Sequence, residues 1–429
     1  MKNRHTNLES QIQLPSSSVI LRIVAFYAFT FVVFGFVMSS PSEIWSGLID
    51  ILTTRDALIT DYIGVGGVGA TFVNAGLLTL AGCAISHITQ SKISGASVAS
   101  LFLLLGFGLF GKNLLNVWPI IAGVFIYARY KNEPFVSYLN VAFFGCALAP
   151  IFSEILYSTA IPWQISLPLA IIIAPLLGFI LPPVAAQLFK AHAGFNLYNI
   201  GFTAGIIGVL TVAFYKSYGF VPEPVMIWTS EDNGALAIFI TLLFISMILG
   251  GFYLDRGAIS KLPVIIQQPG QAPTDFIAIV GFGATLVNMG LCGLIGLIYV
   301  LLVGAAINGP TIGGILTIVG FATFGKHPVN IVPIMLGVFL GSLAKPWHPS
   351  DPSIILAALF GTTLAPIAGR FGWPWGIVAG FIHSSAVLSV GSPQAGLNLY
   401  NNGFVAGMVA AVLAPVISAV QSGGIKDKG

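Results

Sequence analysis

The chain has 429 residues, of which 56% are hydrophobic and only 7% are charged. A soluble globular protein carries about 25% charged residues, so this composition excludes a soluble domain. The net charge of +3, from 17 Lys and Arg against 14 Asp and Glu, is too small and too dispersed for a nucleic-acid-binding surface. The sequence therefore predicts an integral membrane protein that binds no nucleic acid.

Apolar segments separated by polar and turn-rich positions predict the membrane elements, because a helix that crosses a bilayer needs about 20 apolar residues. In chain order the segments are 18–40, 63–88, 95–110, 113–129, 137–157, 163–188, 195–215, 234–254, 276–304, 310–325, 328–344, 353–369, 373–390 and 402–420. The segments 95–110 and 113–129, like 310–325 and 328–344, are short and are joined by Gly-Lys. Each of these two pairs is either a re-entrant hairpin or two crossings.

Orientation follows from the Lys and Arg residues, which favour cytoplasmic loops. With the N-terminus inside, the basic positions 92, 129, 131, 190, 256, 261 and 370 are cytoplasmic, and the acidic loops 41–61 and 216–233 are external. The predicted order is a cytoplasmic segment 1–17, a first membrane repeat 18–215, an external linker 216–233, a second membrane repeat 234–420 and a cytoplasmic tail 421–429. The expected location is the cell membrane, with both termini inside.

The chain contains an internal duplication. GVGATFVNAG at 67–76 recurs 214 residues later as GFGATLVNMG at 281–290, and GFGLFGKNLLNVWPIIAGVF at 106–125 recurs as GFATFGKHPVNIVPIMLGVF at 320–339. AGFNLYNIGFTAG at 193–205 returns 202 residues later as AGLNLYNNGFVAG at 395–407. Because each copy has about seven apolar elements, an odd number, the second copy must enter the membrane from the opposite face. The predicted fold is an all-α polytopic membrane protein with two inverted-topology repeats, an architecture that places substrate sites near the midplane.

The blocks FGKNLLNVWPI, FGKHPVNIVPI and AG(F/L)NLYN make nearly the whole chain resemble a family of uncharacterised bacterial multi-pass membrane proteins, a domain of unknown function found mainly in Firmicutes. That resemblance implies no activity. GFNLYNIGFTAG and GLNLYNNGFVAG also give a weaker likeness to the urea transporters, which are inverted repeats too. This likeness implies a passive urea-type channel, although the LPxxTxPF motif of those proteins has no counterpart here.

Two intramembrane lysines are the leading candidates for a substrate-binding site. Lys112 and Lys326 lie in Phe-Gly-Lys at equivalent places in the two repeats, where an ammonium beside a helix end would attract an anion. The alternative is that each lysine ends a helix and extends to the interface. Asn116 and Asn330 follow four residues later, on the same face if the segment is helical. They are expected either to face the same cavity or to bond the kinked backbone.

The second candidate set is the repeated Asn-Leu-Tyr-Asn block, whose polar side chains must face protein or a pore rather than lipid. The expected role is substrate binding at an unwound helix start, and the alternative is hydrogen bonding between the repeats. The residues are Asn196, Tyr198, Asn199, Asn398, Tyr400 and Asn401.

Further polar positions inside the apolar segments have mainly structural interpretations. Thr71, Asn74, Thr285 and Asn288 are flanked by glycines, which predicts helix packing first and lining of a pathway second. Asp61 and Asp275 precede these segments and are expected to be helix-start charges in solvent. His383 beside two serines is either a proton relay or a histidine satisfied by hydroxyl groups.

These patterns favour a secondary transporter or facilitator for a small polar or anionic solute, with the pathway between the repeats. The alternatives are the passive channel and, as a third class, a membrane enzyme that acts on lipid. Such an enzyme needs clustered His, Asp or Glu, and here they are dispersed, so no enzymatic activity is expected. We expect no cofactor and no metal, and the partners are a small solute and the lipid bilayer. The sequence leaves a homo-oligomer open.

Overall fold

The protein is a polytopic α-helical membrane protein. The computed structural model describes residues 16–158, 161–220, 222, 225–231 and 234–426. Within these residues the regular elements are helices, and ten helical segments are long and apolar enough to cross a membrane. Most of the predicted N-terminal segment and the last residues of the predicted tail lie outside the described residues.

The first half of the chain contains nine α-helices within the described ranges. They are α1 (Ser17–Met38), α2 (Pro41–Thr53), α3 (Tyr62–Ile88), α4 (Gly95–Phe107), α5 (Val117–Tyr130), α6 (Leu139–Gly145), α7 (Ala149–Leu156), α8 (Trp163–His192) and α9 (Asn199–Ser217). A short 3-10 turn, Cys146–Leu148, joins α6 to α7.

The second half contains ten α-helices within the described ranges. They are α10 (Gly234–Leu254), α11 (Ala258–Ile266), α12 (Phe276–Val280), α13 (Phe282–Leu302), α14 (Gly309–Phe321), α15 (Pro328–Leu343), α16 (Pro352–Gly361), α17 (Ala365–Phe371), α18 (Trp373–Val390) and α19 (Asn401–Lys426). The 3-10 turn Thr362–Leu364 joins α16 to α17, as its counterpart joins α6 to α7.

Each predicted apolar segment is helical, and the four short segments are the short helices α4, α5, α14 and α15. The interpretation of 41–61 as a loop was wrong, because its first part is helix α2. Ser40 and Glu43 form a capping box there, and Pro41 begins the helix. This start signal was readable in the sequence, but the segment is too short and too polar to register as a membrane span.

The same backbone break occurs in both halves. Gly67, with φ +80°, interrupts α3, and Gly281, with φ +87°, separates α12 from α13, 214 residues further on. Both values lie in the left-handed region that glycine adopts without steric cost. In both halves a threonine four residues later, Thr71 or Thr285, donates its hydroxyl to the carbonyl of that glycine. The threonines therefore support the kinked helices.

Helices α4 and α14 form the centre of the fold and run antiparallel. Gly95 lies against Thr323 at one end of the pair, and Gly106 lies against Gly313 near the other. Every residue of α14 is buried, which explains why its sequence is apolar on all faces rather than on one stripe. The two equivalent helices are thus in contact, and their axes point in opposite directions.

Helices α5 and α8 pack closely through glycine, and we predict that this contact is sensitive to one methyl group. A Cβ atom at Gly123 would overlap the carbonyl oxygen of Pro175. Although alanine favours helix over glycine by about 0.5–1 kcal/mol, overpacking costs about 1–3 kcal/mol, so Gly123→Ala should destabilise the protein. The matched control is Gly234→Ala, where a Cβ would meet no described atom within 4 Å. Thermal unfolding in detergent should give a lower midpoint for Gly123→Ala alone; equal midpoints would contradict the prediction.

Candidate substrate-binding cavity

Two non-helical segments, 193–198 and 395–400, lead into helices α9 and α19 and bind the opposite half of the molecule. The N–H of Leu197 donates to the carbonyl of Thr363 at 3.1 Å, and the N–H of Leu399 donates to the carbonyl of Ala147 at 3.0 Å. The two helix starts meet at Gly201 and Gly403, where an added Cβ on either glycine would lie 3.1 Å from the other's Cα. Each Asn-Leu-Tyr-Asn block is therefore an unwound helix start held by the other half.

The first asparagine of each block fixes the segment rather than facing a cavity. Asn196 Oδ1 accepts from the N–H of Tyr198 at 3.1 Å, and Asn398 Oδ1 accepts from the N–H of Tyr400 at 2.9 Å. Asn196 Nδ2 also donates to the carbonyl of Gly403 at 3.0 Å. These bonds correspond to the structural alternative given above, hydrogen bonding between the halves.

The two lysines bond the two tyrosines across the molecule. Lys112 Nζ donates to the hydroxyl of Tyr400 at 2.6 Å, and Lys326 Nζ donates to the hydroxyl of Tyr198 and, at 2.8 Å, to Thr362 Oγ1. Each ammonium also lies near the ring of its tyrosine, 4.8 and 4.6 Å from the centroid. Both lysines have 0% exposure, so the alternative in which they extend to the interface is wrong.

A cavity of about 500 Å³ is lined by Tyr198 and Tyr400, whereas Lys112 and Lys326 bond these tyrosines from outside the lining. Its floor is formed by equivalent residues from the two halves of the described chain. These are Leu103 and Thr317, Phe107 and Phe321, Phe144 and Phe360, Tyr198 and Tyr400, and Gly201 and Gly403. The sequence repeat therefore coincides with a repeat in the walls of one cavity.

The mouth of the cavity lacks this symmetry. The exposed residues Ser137 and Ala186 line it, together with Asn140 and Phe189 from the same side. These positions adjoin Lys131 and Lys190 in the sequence, which mark the side predicted to be cytoplasmic. Asn140 and Val141 correspond in the repeat to Leu356 and Ala357, which are buried. The partly exposed lining residues Asn140 and Val141 therefore have no exposed equivalents at 356 and 357.

The remaining asparagines of the blocks have histidine or glutamine partners. Asn199 lines the cavity, and its Oδ1 lies 3.0 Å from His192 Nε2. Asn401 Oδ1 instead accepts from Gln394 Nε2 at 3.0 Å. His383 is buried and lies 3.0 Å from Oδ1 of Asn402, so its partner is an amide rather than the neighbouring serines. Asn402 itself lines the cavity, a position that sequence reasoning missed.

The turns 108–116, between α4 and α5, and 322–327, between α14 and α15, are called the hairpin tips below. The asparagines that follow the lysines shape these tips and do not line the cavity. Asn116 Nδ2 donates to the carbonyl of Gly111 at 3.1 Å, and Asn330 Nδ2 donates to the carbonyl of Gly325 at 2.9 Å. The expected helical i, i+4 spacing from the lysines was wrong, because α5 begins only at Val117 and the lysines precede the helices.

Asn74 and Asn288 hold the same tips from the neighbouring helices. Asn74 Nδ2 donates to the carbonyls of Gly108 and Lys112, and Asn288 Nδ2 donates to those of Ala322 and Lys326, all at 2.7–3.0 Å. These two asparagines therefore pack helices, as expected first, and they fix the backbone of each lysine.

One hairpin tip has an additional anchor, the buried carboxylate of Asp56, which the sequence did not reveal. Asp56 accepts from Tyr62 Oη at 2.7 Å, Ser153 Oγ at 2.7 Å, Asn116 Nδ2 at 2.8 Å and Asn113 Nδ2 at 3.1 Å. Its counterpart in the repeat is Gly270, so the two tips are held differently.

The expectation that Asp61 lies in solvent was also wrong. Asp61 has 0% exposure and accepts from the N–H groups of Ile63 and Thr229, both at 3.1 Å. Asp275 is half-buried and caps α12. The exposure of these aspartates could not be predicted from the sequence. An aspartate before a helix gives the same sequence pattern whether or not another segment of the chain covers it.

Among the described residues, no group of three or more His, Cys, Asp or Glu side chains is arranged to hold a metal ion. Comparison with curated proteins and with solved structures finds no match. A family profile does match two segments of the chain, residues 40–217 and 254–419. Their starts are 214 residues apart and their ends are 202 apart, the same shifts that separate the repeated blocks. The chain therefore belongs to the family described as "Protein of unknown function (DUF1576)", which confirms its resemblance to an uncharacterised membrane-protein family.

Proposed function

We propose that the protein is a secondary transporter or facilitator for a small polar or anionic solute, and that the central cavity is its binding site. The observation that carries the proposal is the lining of one cavity by equivalent residues from both halves, including two tyrosines that each bond a buried lysine of the opposite half. Transporters built from two inverted units bind their substrates at this kind of interface, beside broken helices. No enzymatic activity is part of the proposal.

The packing of the two halves supports an inverted arrangement. Equivalent helices α4 and α14 run antiparallel, and the two non-helical segments 193–198 and 395–400 each bind the other half through equivalent backbone bonds. An inverted pair can exchange conformations, so that the half now lining the mouth closes and the other half opens. The one-sided mouth at Ser137 and Ala186 fits one end state of such an exchange.

Purified protein in proteoliposomes tests the function directly. A panel of labelled organic anions, neutral polar solutes including urea, and small cations should identify a solute that enters faster than in protein-free vesicles. Accumulation above equilibrium under a proton or sodium gradient supports the transporter, whereas rapid equilibration without accumulation supports the passive channel. If no solute in the panel crosses faster than in empty vesicles, the proposal fails.

The proposed orientation places both termini in the cytoplasm of a bacterial cell, and it predicts where single cysteines react. After replacement of Cys83, Cys146 and Cys292, Asp50→Cys on helix α2 and Val225→Cys in the linker should react with an impermeant thiol reagent in intact cells, because both segments are expected outside. Ser137→Cys, at the mouth of the cavity, should react only after the cells are opened. Labelling of Ser137→Cys in intact cells, with protection of Asp50→Cys and Val225→Cys, would reverse the orientation.

A further inference from the structure

The polar groups on the floor of the cavity are mainly hydrogen-bond donors. The hydroxyls of Tyr198 and Tyr400 each accept from a lysine, which leaves the phenolic protons to be donated elsewhere. Oδ1 of Asn402 is occupied by His383 Nε2, so the amide NH₂ is the group left for a ligand. Helix α9 also starts at the cavity without a side-chain cap, and the first N–H groups of a helix have no partner within the helix. The floor therefore suits a ligand rich in acceptors.

The charges around the cavity favour an anion over a neutral solute. Lys112 and Lys326 are fully buried, and the ion pairs found in the described part of the chain, Arg55 with Glu154 and Lys261 with Asp255, do not include them. Among the described residues that line the cavity, none is acidic. A buried ammonium without a counter-ion is costly, and a bound anion would supply the missing negative charge to both lysines.

The walls favour a ligand that also has an apolar body. Phe107 and Phe321 lie against the two tyrosines, with ring centroids 4.6 Å from Tyr400 and 4.5 Å from Tyr198. Phe360 stacks on Phe107 at 5.4 Å. A volume of about 500 Å³ is within the ~300–1,000 Å³ of small-molecule pockets. The cavity is thus larger and more apolar than a site for an inorganic anion requires.

We infer that the cavity binds a small organic anion of the arylcarboxylate class, with its carboxylate beside the phenols of Tyr198 and Tyr400 and its ring against the phenylalanines. The inference rests on the proposed function, because it names the class of solute that the same cavity takes. The phenols donate to the carboxylate, and the lysines behind them compensate its charge. A cation of the same shape meets two ammonium groups and no acidic lining residue.

A matched series of ligands tests the charge and the shape separately. Binding to the purified full chain in detergent is measured by isothermal titration calorimetry with benzoate, benzamide, benzylammonium and acetate. Benzoate should bind at least about tenfold more tightly than neutral benzamide and than acetate, which lacks the ring, and benzylammonium should not bind. Equal binding of benzoate and benzamide, any binding of benzylammonium in preference to benzoate, or no binding of benzoate would overturn the inference.

Variants locate the binding in the cavity. Tyr198→Phe and Tyr400→Phe each remove one donor and should weaken benzoate binding about tenfold, and the double variant about a hundredfold. Tyr299→Phe is the matched control, because its buried hydroxyl has no described partner and lies outside the cavity lining. Thermal midpoints without ligand check that the variants fold, and the ligand series on the unaltered protein needs no variant. Unchanged benzoate affinity in a folded double variant would overturn the inference.

The binding series tests the ligand class and the flux assay tests transport, so the failure of one proposal can be distinguished from the failure of the other. If benzoate binds with the expected dependence on the tyrosines but no solute crosses proteoliposomes, the inferred ligand class stands and the transport proposal falls. If a neutral solute such as urea crosses and benzoate does not bind, transport stands and the arylcarboxylate inference falls.

Discussion

Alanine in place of Asp56 is expected to lower the free energy of unfolding by about 3–5 kcal/mol, because the buried donors of Tyr62, Asn113, Asn116 and Ser153 lose their common acceptor. The carboxylate joins the first hairpin tip to α3 and α7, so its loss should also loosen that tip. Denaturant unfolding of the protein in detergent, followed by circular dichroism, measures the change.

Asp50→Ala is the matched control, since Asp50 is an exposed aspartate on the neighbouring helix α2. It should change the unfolding free energy by less than about 0.5 kcal/mol, as surface substitutions usually do. If Asp56→Ala and Asp50→Ala unfold at the same denaturant concentration, the carboxylate does not anchor the hairpin tip.

Replacement of both Lys112 and Lys326 by methionine is expected to abolish benzoate binding and uptake while leaving the fold intact. Each lysine acts through the tyrosine that it bonds, because its charge strengthens the hydrogen bond from that phenol to the carboxylate. A charge-assisted hydrogen bond contributes about 1.5–3 kcal/mol, so each single replacement should weaken binding by up to about ten- to a hundredfold. Methionine has nearly the length of the lysine stem and carries no charge, so it removes the cost of burying an ammonium. The thermal midpoint without ligand should therefore stay the same or rise, whereas a purely structural lysine would lower it.

Lys92→Met provides the control. Lys92 is exposed in the segment between α3 and α4, so this substitution removes the same charge at a position outside the cavity. Benzoate binding is measured by calorimetry and uptake in proteoliposomes, each for the two single variants, the double variant and the control. Retention of wild-type affinity and uptake by the folded double variant would remove the lysines from the binding site.

Much of the helix order was predictable because the apolar patterning is strong. All the predicted apolar segments are helical, and the short helices α4, α5, α14 and α15 lie where the short segments were expected. The lysines and tyrosines that recur in both copies pair with each other across the two halves, although their role in binding stays a prediction. Helix α2 was missed because its 13 residues are too few for a membrane span.

The partners of the polar side chains were not predictable in the same way. Lys112 bonds Tyr400, which is 288 residues away, and Asp56 accepts hydrogen bonds from side chains as far along the chain as Ser153. No local pattern carries such pairings, because they depend on which segments the packing of the two halves brings together. The same limit applies to Asn402, whose counterpart in the first half, Ile200, gave no polar signal to compare.

By itself the sequence determined that this chain is a helical membrane protein and where its internal repeat lies, because hydrophobic length and recurring blocks are properties of the chain alone. Only the tertiary structure decided that the lysines are buried against tyrosines of the other half, that Asn116 and Asn330 close hairpin tips, and that the cavity opens on one side. The physical reason is that a lysine near a helix end has two low-energy solutions, reaching water or pairing inside the protein. The packing of distant helices selects between them.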